Sequence, residues 1–348
     1  MTVVRADRTA AAPVVRPGRA ARAPVHTILL ALHTTLLASW LIALGAATPV
    51  AAQSNYGTTG AAVLQLPAGS RAAAMGGAYT AAADGDAIFY NPAAAVWLAA
   101  SASLAYQRHV DEIGFGTVGA TRAFRPVAVA LTFGFLDYGT IAEIVPDPAF
   151  GGQRGEETGL SASAAEVVGR ITLAAPLLRR RLAAGVSAGL LWVSVAETGR
   201  IAAVFDAGLQ YRAGHGLAFG AALRNAGGPL EGARLGPLDL PTEVRGGVSY
   251  LAPPLAGPVS VTIHADLVAP VNDGPTALAA GAEAAIVTRP DGLSAALRAG
   301  YNGTVGPAGV GPLHLGAGIT RAEFSLDYVF QDMGVLGAVH RFGVRWSR

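Results

Sequence analysis

Gly185-Val186-Ser187-Ala188-Gly189 has the G-x-S-x-G spacing of a serine hydrolase. That chemistry needs a sharp strand-to-helix turn that exposes the serine to a histidine and an acid. Here the five residues sit inside an alternating segment, Leu182 to Trp192, with no helix after them. Small residues at 185, 187 and 189 then simply face a crowded interior. Gly114-Phe115-Gly116-Thr117-Val118-Gly119 matches G-x-G-x-x-G, which binds a dinucleotide only where it leaves a strand and opens a helix. This run is itself strand-like, and Pro126 follows after a short turn. The seven histidines show no metal-ligand spacing, and there is no cysteine. No catalytic residue, metal site or cofactor is expected.

One stretch concentrates the remaining polar chemistry. From Gly69 to Ala95 the chain reads GSRAAAMGGAYTAAADGDAIFYNPAAA. Arg71, Asp84, Asp86 and Asn91 are set among small residues, with Met75, Gly76 and Gly77 between them. Asn91 is a good N-cap and Pro92 fits the first helical position, so a short helix is predicted over Ala93 to Leu98. A small-residue segment can lie close against other backbone. Placed ahead of a long β region, it reads as a plug inside a barrel. The eight candidates for plug or ligand contacts are Arg71, Met75, Gly76, Gly77, Asp84, Asp86, Asn91 and Pro92.

The elements that would hold this plug follow from Ser101 onward, where apolar residues recur with period two over strand-length segments. Val259, Val261, Ile263, Ala265 and Leu267 share one face; Ser260, Thr262, His264 and Asp266 share the other. Phe324, Leu326, Tyr328 and Phe330 alternate with Ser325, Asp327 and Val329. A soluble sandwich also alternates. The second face, however, mixes glycine with charge, as suits a lumen. Aromatic residues such as Tyr106, Phe135, Tyr250, Tyr301 and Trp346 fall near strand ends, and the strands have the length that crosses a bilayer at a tilt. About 14 strands between 101 and 347 give an all-β, transmembrane antiparallel barrel with an N-terminal plug. Long connections at 138–160 and 226–241 follow odd-numbered strands, and the connections after even-numbered strands are short. That asymmetry places both barrel ends of the chain in the periplasm. His264, His314, Asp266, Glu283, Arg298, Asp327 and Arg341 are expected to point inward.

The N-terminal stretch resembles the signature of the PorV/PorQ family of bacterial outer-membrane proteins, relatives of the FadL-type channels. The matching residues are Gly69, Arg71, Ala74-Met75-Gly76-Gly77-Ala78, Asp84 and Asn91-Pro92-Ala93. Segments 208–227, 240–251 and 324–344 are similar to strands of that family. The resemblance implies a non-enzymatic barrel that binds or passes hydrophobic small molecules. Alternatively, it implies an accessory of a type IX-like secretion pathway, with secretion proteins as partners.

Composition agrees with this class. Hydrophobic residues make up 52% of the 348 and charged ones 14%, with 45 glycines. Residues 1–52 hold five arginines against one aspartate and the rest twenty arginines against twenty-two acids, so nothing suggests a nucleic-acid partner. The basic start, the apolar run Ile28 to Ala47 and Val50-Ala51-Ala52 have the three-part layout of a secretory signal. The expected organisation is a signal peptide at 1–52, a plug with short helices at 53–100 and a barrel at 101–348, located in the bacterial outer membrane in contact with its lipid.

Overall fold

A computed structural model describes residues 59–348, apart from 109–112, 147, 152–153, 179–180, 197, 232–235, 254–257, 273, 288–291, 305–310 and 335–336. The expected signal peptide lies outside the described residues, as do residues 53–58 of the plug.

Fourteen strands form one closed antiparallel barrel. They are β1 (Ala100–Arg108), β2 (Gly114–Phe124), β3 (Val127–Pro146), β4 (Gly155–Leu177), β5 (Leu182–Val195), β6 (Thr198–Gly214), β7 (Leu217–Ala226), β8 (Glu243–Leu251), β9 (Val259–Pro270), β10 (Ala277–Val287), β11 (Ser294–Asn302), β12 (Leu313–Arg321), β13 (Phe324–Asp332) and β14 (Ala338–Ser347). Each strand pairs with its neighbours in sequence, and β1 closes on β14 with Ser101 opposite Ser347. Closure gives every strand a hydrogen-bonded neighbour on each side, as a wall in an apolar solvent requires.

The two faces are inverted relative to a soluble protein. Leu131, Ile171, Leu190, Ile201, Leu297 and Phe342 are each more than half exposed on the outside. Glu283, Arg298, Asp327 and Arg341 are buried on the inside, together with His264, Asp266 and His314. Strict period two puts both sets on the same strands. A belt of large aliphatics around the outside is stable only where its solvent is apolar.

One expectation fails in the wall. Residues 138–160 are not a loop: β3 and β4 run on as a two-stranded ribbon past their outer neighbours, since β2 pairs with β3 only to Asp137 and β5 with β4 only from Ala164. Ile141, Ile144, Val145 and Leu160 lie along it and are exposed. The ribbon has no sheet neighbour, is exposed on both faces and shifts register after Asp137 and Ala142, so no period-two pattern marks it in the sequence. The connection after β7 is long as expected, and an isolated bridge links Leu230 to Leu238 within it.

Residues 59–98 lie inside the barrel. They begin at Thr59, which bridges to Asp239 in the long β7–β8 connection, at the rim opposite Ser347. A 3-10 turn (Ala62–Leu64), a five-residue helix α1 (Ser70–Ala74), a second turn (Ala87–Phe89) and a 3-10 helix (Pro92–Trp97) follow. Asn91 caps the last as its sequence predicts, its Oδ1 accepting from the Ala93 amide at 3.0 Å. The helix is 3-10 rather than α, within the length such helices usually reach only by exception.

Candidate functional site

The plug is held by three constructions. The first begins in α1. Gly69 at its N-cap has no side chain to offer, and the carboxylate of Asp86 takes that place by accepting from the amide of Arg71, fifteen residues before it, at 2.9 Å. A Cβ on Gly69 would lie 2.4 Å from the Asp86 carboxyl carbon, which, with a φ of +73°, is why glycine stands there. Arg71 then projects toward the wall. Its guanidinium meets Asp84 at 2.5 Å within the plug and Glu283 of β10 at 2.5 and 2.8 Å. Glu283 also binds Arg298 of β11 at 2.5 Å, and Arg298 binds Asp327 of β13 at 2.7 Å. Asp327 binds Arg345 of β14 at 2.7 Å, and Arg345 returns to Asp84 at 4.0 Å. Six side chains thus form a closed ring in which three guanidinium groups alternate with three carboxylates. Buried charges survive only when paired and hydrogen-bonded, and the ring pairs each one twice.

Two plug carboxyls in this region are driven apart. Burial pushes Asp84 upward, but Arg71 and Arg345, with the Tyr79 hydroxyl and the Asp86 amide, outweigh it and hold Asp84 below the usual carboxylate range. Burial also acts on Asp86, where Arg345 opposes it less effectively and the neighbouring Asp84 and Asp327 charges add to it; the group is pushed up to about 6.

The second construction is a pair of glycine windows. Gly281 and Gly300 face each other across β10 and β11, and the Met75-Gly76 backbone sits in the gap. A Cβ on Gly300 would be 2.1 Å from the Gly76 nitrogen, and one on Gly281 2.5 Å from the Met75 carbonyl oxygen. In the same cross-strand row His264 stands opposite Gly281 and His314 opposite Gly300, both buried. On the far wall Gly185 of β5 and Gly208 of β6 receive Asn91-Pro92. Their Cβ atoms would lie 2.5 Å from the Pro92 carbonyl carbon and 2.0 Å from Asn91 Oδ1. Asn91 Nδ2 donates to the carbonyls of Thr80, Leu209 and Ala221 at 2.8, 3.0 and 3.3 Å, tying plug to wall.

The third is an apolar chamber near the long-loop end. Phe115, Leu136, Val168, Leu191, Val204 and Leu240 enclose Val63 and Leu64 of the first plug turn. Its one buried carboxylate, Glu166 of β4, accepts from the Val63 amide at 2.8 Å and from the Tyr138 hydroxyl at 2.8 Å.

All eight sequence candidates therefore lie where plug meets wall or braces itself. Arg71 and Asp84 are ring members, and Asp86 caps α1. Met75 and Gly76 fill one window; Asn91 and Pro92 fill the other. Gly77 differs from its neighbour, because a Cβ there would meet only the Tyr90 ring at 3.7 Å; its φ of +72° and its carbonyl, which accepts from Arg245 at 2.7 Å, account for it. Glu283, Arg298, Asp327 and Arg345 were readable only as alternating polar positions, since the partner of Arg71 is 212 residues away. Glu166 and the chamber gave no signal beyond parity. Ser187 lies within β5 with its hydroxyl 2.7 Å from that of Thr172, and the 114–119 glycine run lies wholly within β2, so neither has the turn its motif requires.

No protein-family model and no curated protein sequence matches the chain. Among solved structures it is similar to the CymD monoaromatic hydrocarbon channel, with a TM-score of 0.56 and 11% identity over 81% of this chain and 97% of that one. It is also similar to the Pseudomonas putida toluene transporter TodX (TM-score 0.54, 12% identity, 84% and 98% covered). The Ralstonia pickettii toluene transporter TbuX gives 0.54 and 14%, with 82% and 100% covered. At these identities the likeness is one of fold: a closed antiparallel β-barrel.

Proposed function

We propose that the chain is an outer-membrane channel that passes hydrophobic small molecules through a barrel closed by its own N-terminal segment. One observation carries this reading. Val63 and Leu64 occupy an apolar chamber at the long-loop end of the barrel, apart from the charge ring, and the turn that carries them meets the wall through the Val63 amide on Glu166 and through Thr59 and Gly60 on Asp239. An apolar molecule of similar bulk competes for the space those two side chains fill. Below the chamber the ring and the glycine windows hold the rest of the plug and exclude bulk water. The likeness in fold to a monoaromatic hydrocarbon channel and two toluene transporters supports small apolar molecules as the ligand class. In this reading residues 1–52 direct export, and the eight plug residues govern release rather than contacting the ligand first.

The PorV/PorQ resemblance suits the same architecture through its plug signature. Its secretion branch has no support beyond the resemblance, because none of these neighbours is a secretion component. The test is uptake of radiolabelled toluene by intact cells, whose lipopolysaccharide leaflet slows apolar solutes, with and without the barrel and with Leu64→Ala alongside. Enlarging the chamber is expected to raise toluene binding by the purified barrel, and entry of toluene no faster than into cells lacking the barrel would refute the channel.

A further inference from the structure

The outer wall is not uniform. Across β3 to β8, toward the end with short turns, a concave apolar groove of about 600 Å³ opens on the membrane side. Its floor is made by outward alanines, Ala175, Ala184, Ala207 and Ala221, and larger outward side chains such as Leu173 and Leu209 form its banks. The wall is thin here because the inward residues are small too: Gly185 and Gly208 are the window that receives Asn91-Pro92. A groove that runs with the strands in an apolar belt accommodates a hydrocarbon chain.

Charge at the adjoining rim states what such a chain is attached to. The turns joining β2–β3, β4–β5, β6–β7 and β8–β9 contain no aspartate or glutamate, whereas the other two short turns each contain one, Asp291 and Glu323. Arg125 and Arg181 are exposed in the acid-free arc, two and three residues from the groove residues Val127 and Ala184. Arg212 lies beside Arg181, whose carbonyl accepts from the Arg212 amide at 2.8 Å, and its guanidinium stacks on Trp97 at 3.9 Å. The positive arc and the apolar groove are therefore continuous, at the depth where a bilayer's headgroups give way to its chains.

We infer that this face is a seat for one anionic glycerophospholipid, with an acyl chain in the groove and its phosphate against Arg125 and Arg181. The seat rests on the membrane-barrel reading above. Native mass spectrometry of the detergent-purified protein, given phosphatidylglycerol and phosphatidylethanolamine of identical chains, tests it. Phosphatidylglycerol should be retained preferentially. Arg125→Gln and Arg181→Gln should each reduce that preference about fivefold, the expected effect of one arginine near an anionic headgroup. Ala184→Leu with Ala207→Leu should lower retention of both lipids, and Ala317→Leu, outward on β12, should lower neither. Equal retention of the two lipids, or a preference that survives both arginine substitutions, overturns the seat. A dimer mass abolished by groove filling would assign the face to a second copy and overturn it too. Insertion into vesicles, read as protease protection, separates the failures: a barrel that inserts without lipid preference refutes only the seat, and one that does not insert refutes the channel with it.

Discussion

Alanine at position 300 probes the docking of plug on wall where backbone meets backbone. The added methyl would stand 2.1 Å from the Gly76 nitrogen and 2.5 Å from the Met75 carbonyl carbon, both backbone atoms. Ordinary contact begins near 3.4 Å, so the plug turn must retreat by more than an ångström or the strand must bow outward. Overpacking of this kind costs about 1–3 kcal/mol, which shifts the seated-to-unseated equilibrium of the plug by about 5- to 150-fold. The wall itself does not suffer, because alanine is favoured over glycine within a strand by about 0.5–1 kcal/mol. The two effects are thus opposite in sign and fall on different segments. Hydrogen exchange in detergent reads both: amides of 70–98 should exchange faster in Gly300→Ala, while those of β10 to β14 stay protected. Gly246→Ala in β8 is the control, since a Cβ there meets nothing within 4 Å. If Gly300→Ala folds and its plug amides exchange at the wild-type rate, the window does not hold the plug and the packing argument fails.

Three further outcomes are expected. Glu283→Gln removes the shared partner of Arg71 and Arg298, and breaking a buried pair costs about 3–5 kcal/mol, so urea unfolding of the plug should shift strongly; adding Arg71→Met should recover part of the loss, and strict additivity of the two substitutions would disprove the coupling. Asp86 has a folded-state pKa of about 6, above its ordinary 3.8, so the stability it contributes is complete below about pH 4 and is lost as pH rises through 6. Plug protection factors, taken relative to the intrinsic exchange rate at each pH, should therefore fall between pH 4 and 6.5 in the wild type and not in Asp86→Asn, whereas Asp84, shifted the other way, acts only on acidification below that window. Asn91→Asp keeps the helix cap but turns an acceptor toward the Thr80, Leu209 and Ala221 carbonyls, so it should loosen residues 79–98 more than Asn91→Ala does, the reverse of the order expected from cap strength alone.

Much of the wall is legible in the sequence, because a barrel strand states its two faces residue by residue. Leu326 and Asp327 need no partner to announce which is outside. Strand number follows from counting such segments, and Asn91-Pro92 declares its helix start by local chemistry. What remains hidden depends on distance along the chain. Neither Arg71 nor Glu283 shows that it completes a ring. Gly76 and Gly77 are indistinguishable in sequence, and only the approach of the Tyr301 backbone to Gly76 makes one a packing requirement and the other a conformational one. The β3–β4 ribbon reads as a loop because both its faces are exposed, so no alternation marks it, and because Pro146, Pro148 and clustered glutamates carry the signature of a turn.

The charge ring divides along the line where plug meets wall. Arg71 and Asp84 leave with the plug, one charge of each sign; Glu283, Arg298, Asp327 and Arg345 stay behind, two of each. Withdrawal of the plug consequently moves no net charge from this ring and strands none in the lumen. The ring therefore offers a Donnan potential no handle on the gate; the charge of residues 59–98 left unbalanced is that of Asp86, which is neutral below about pH 6, so such a potential would act on the plug only above that pH.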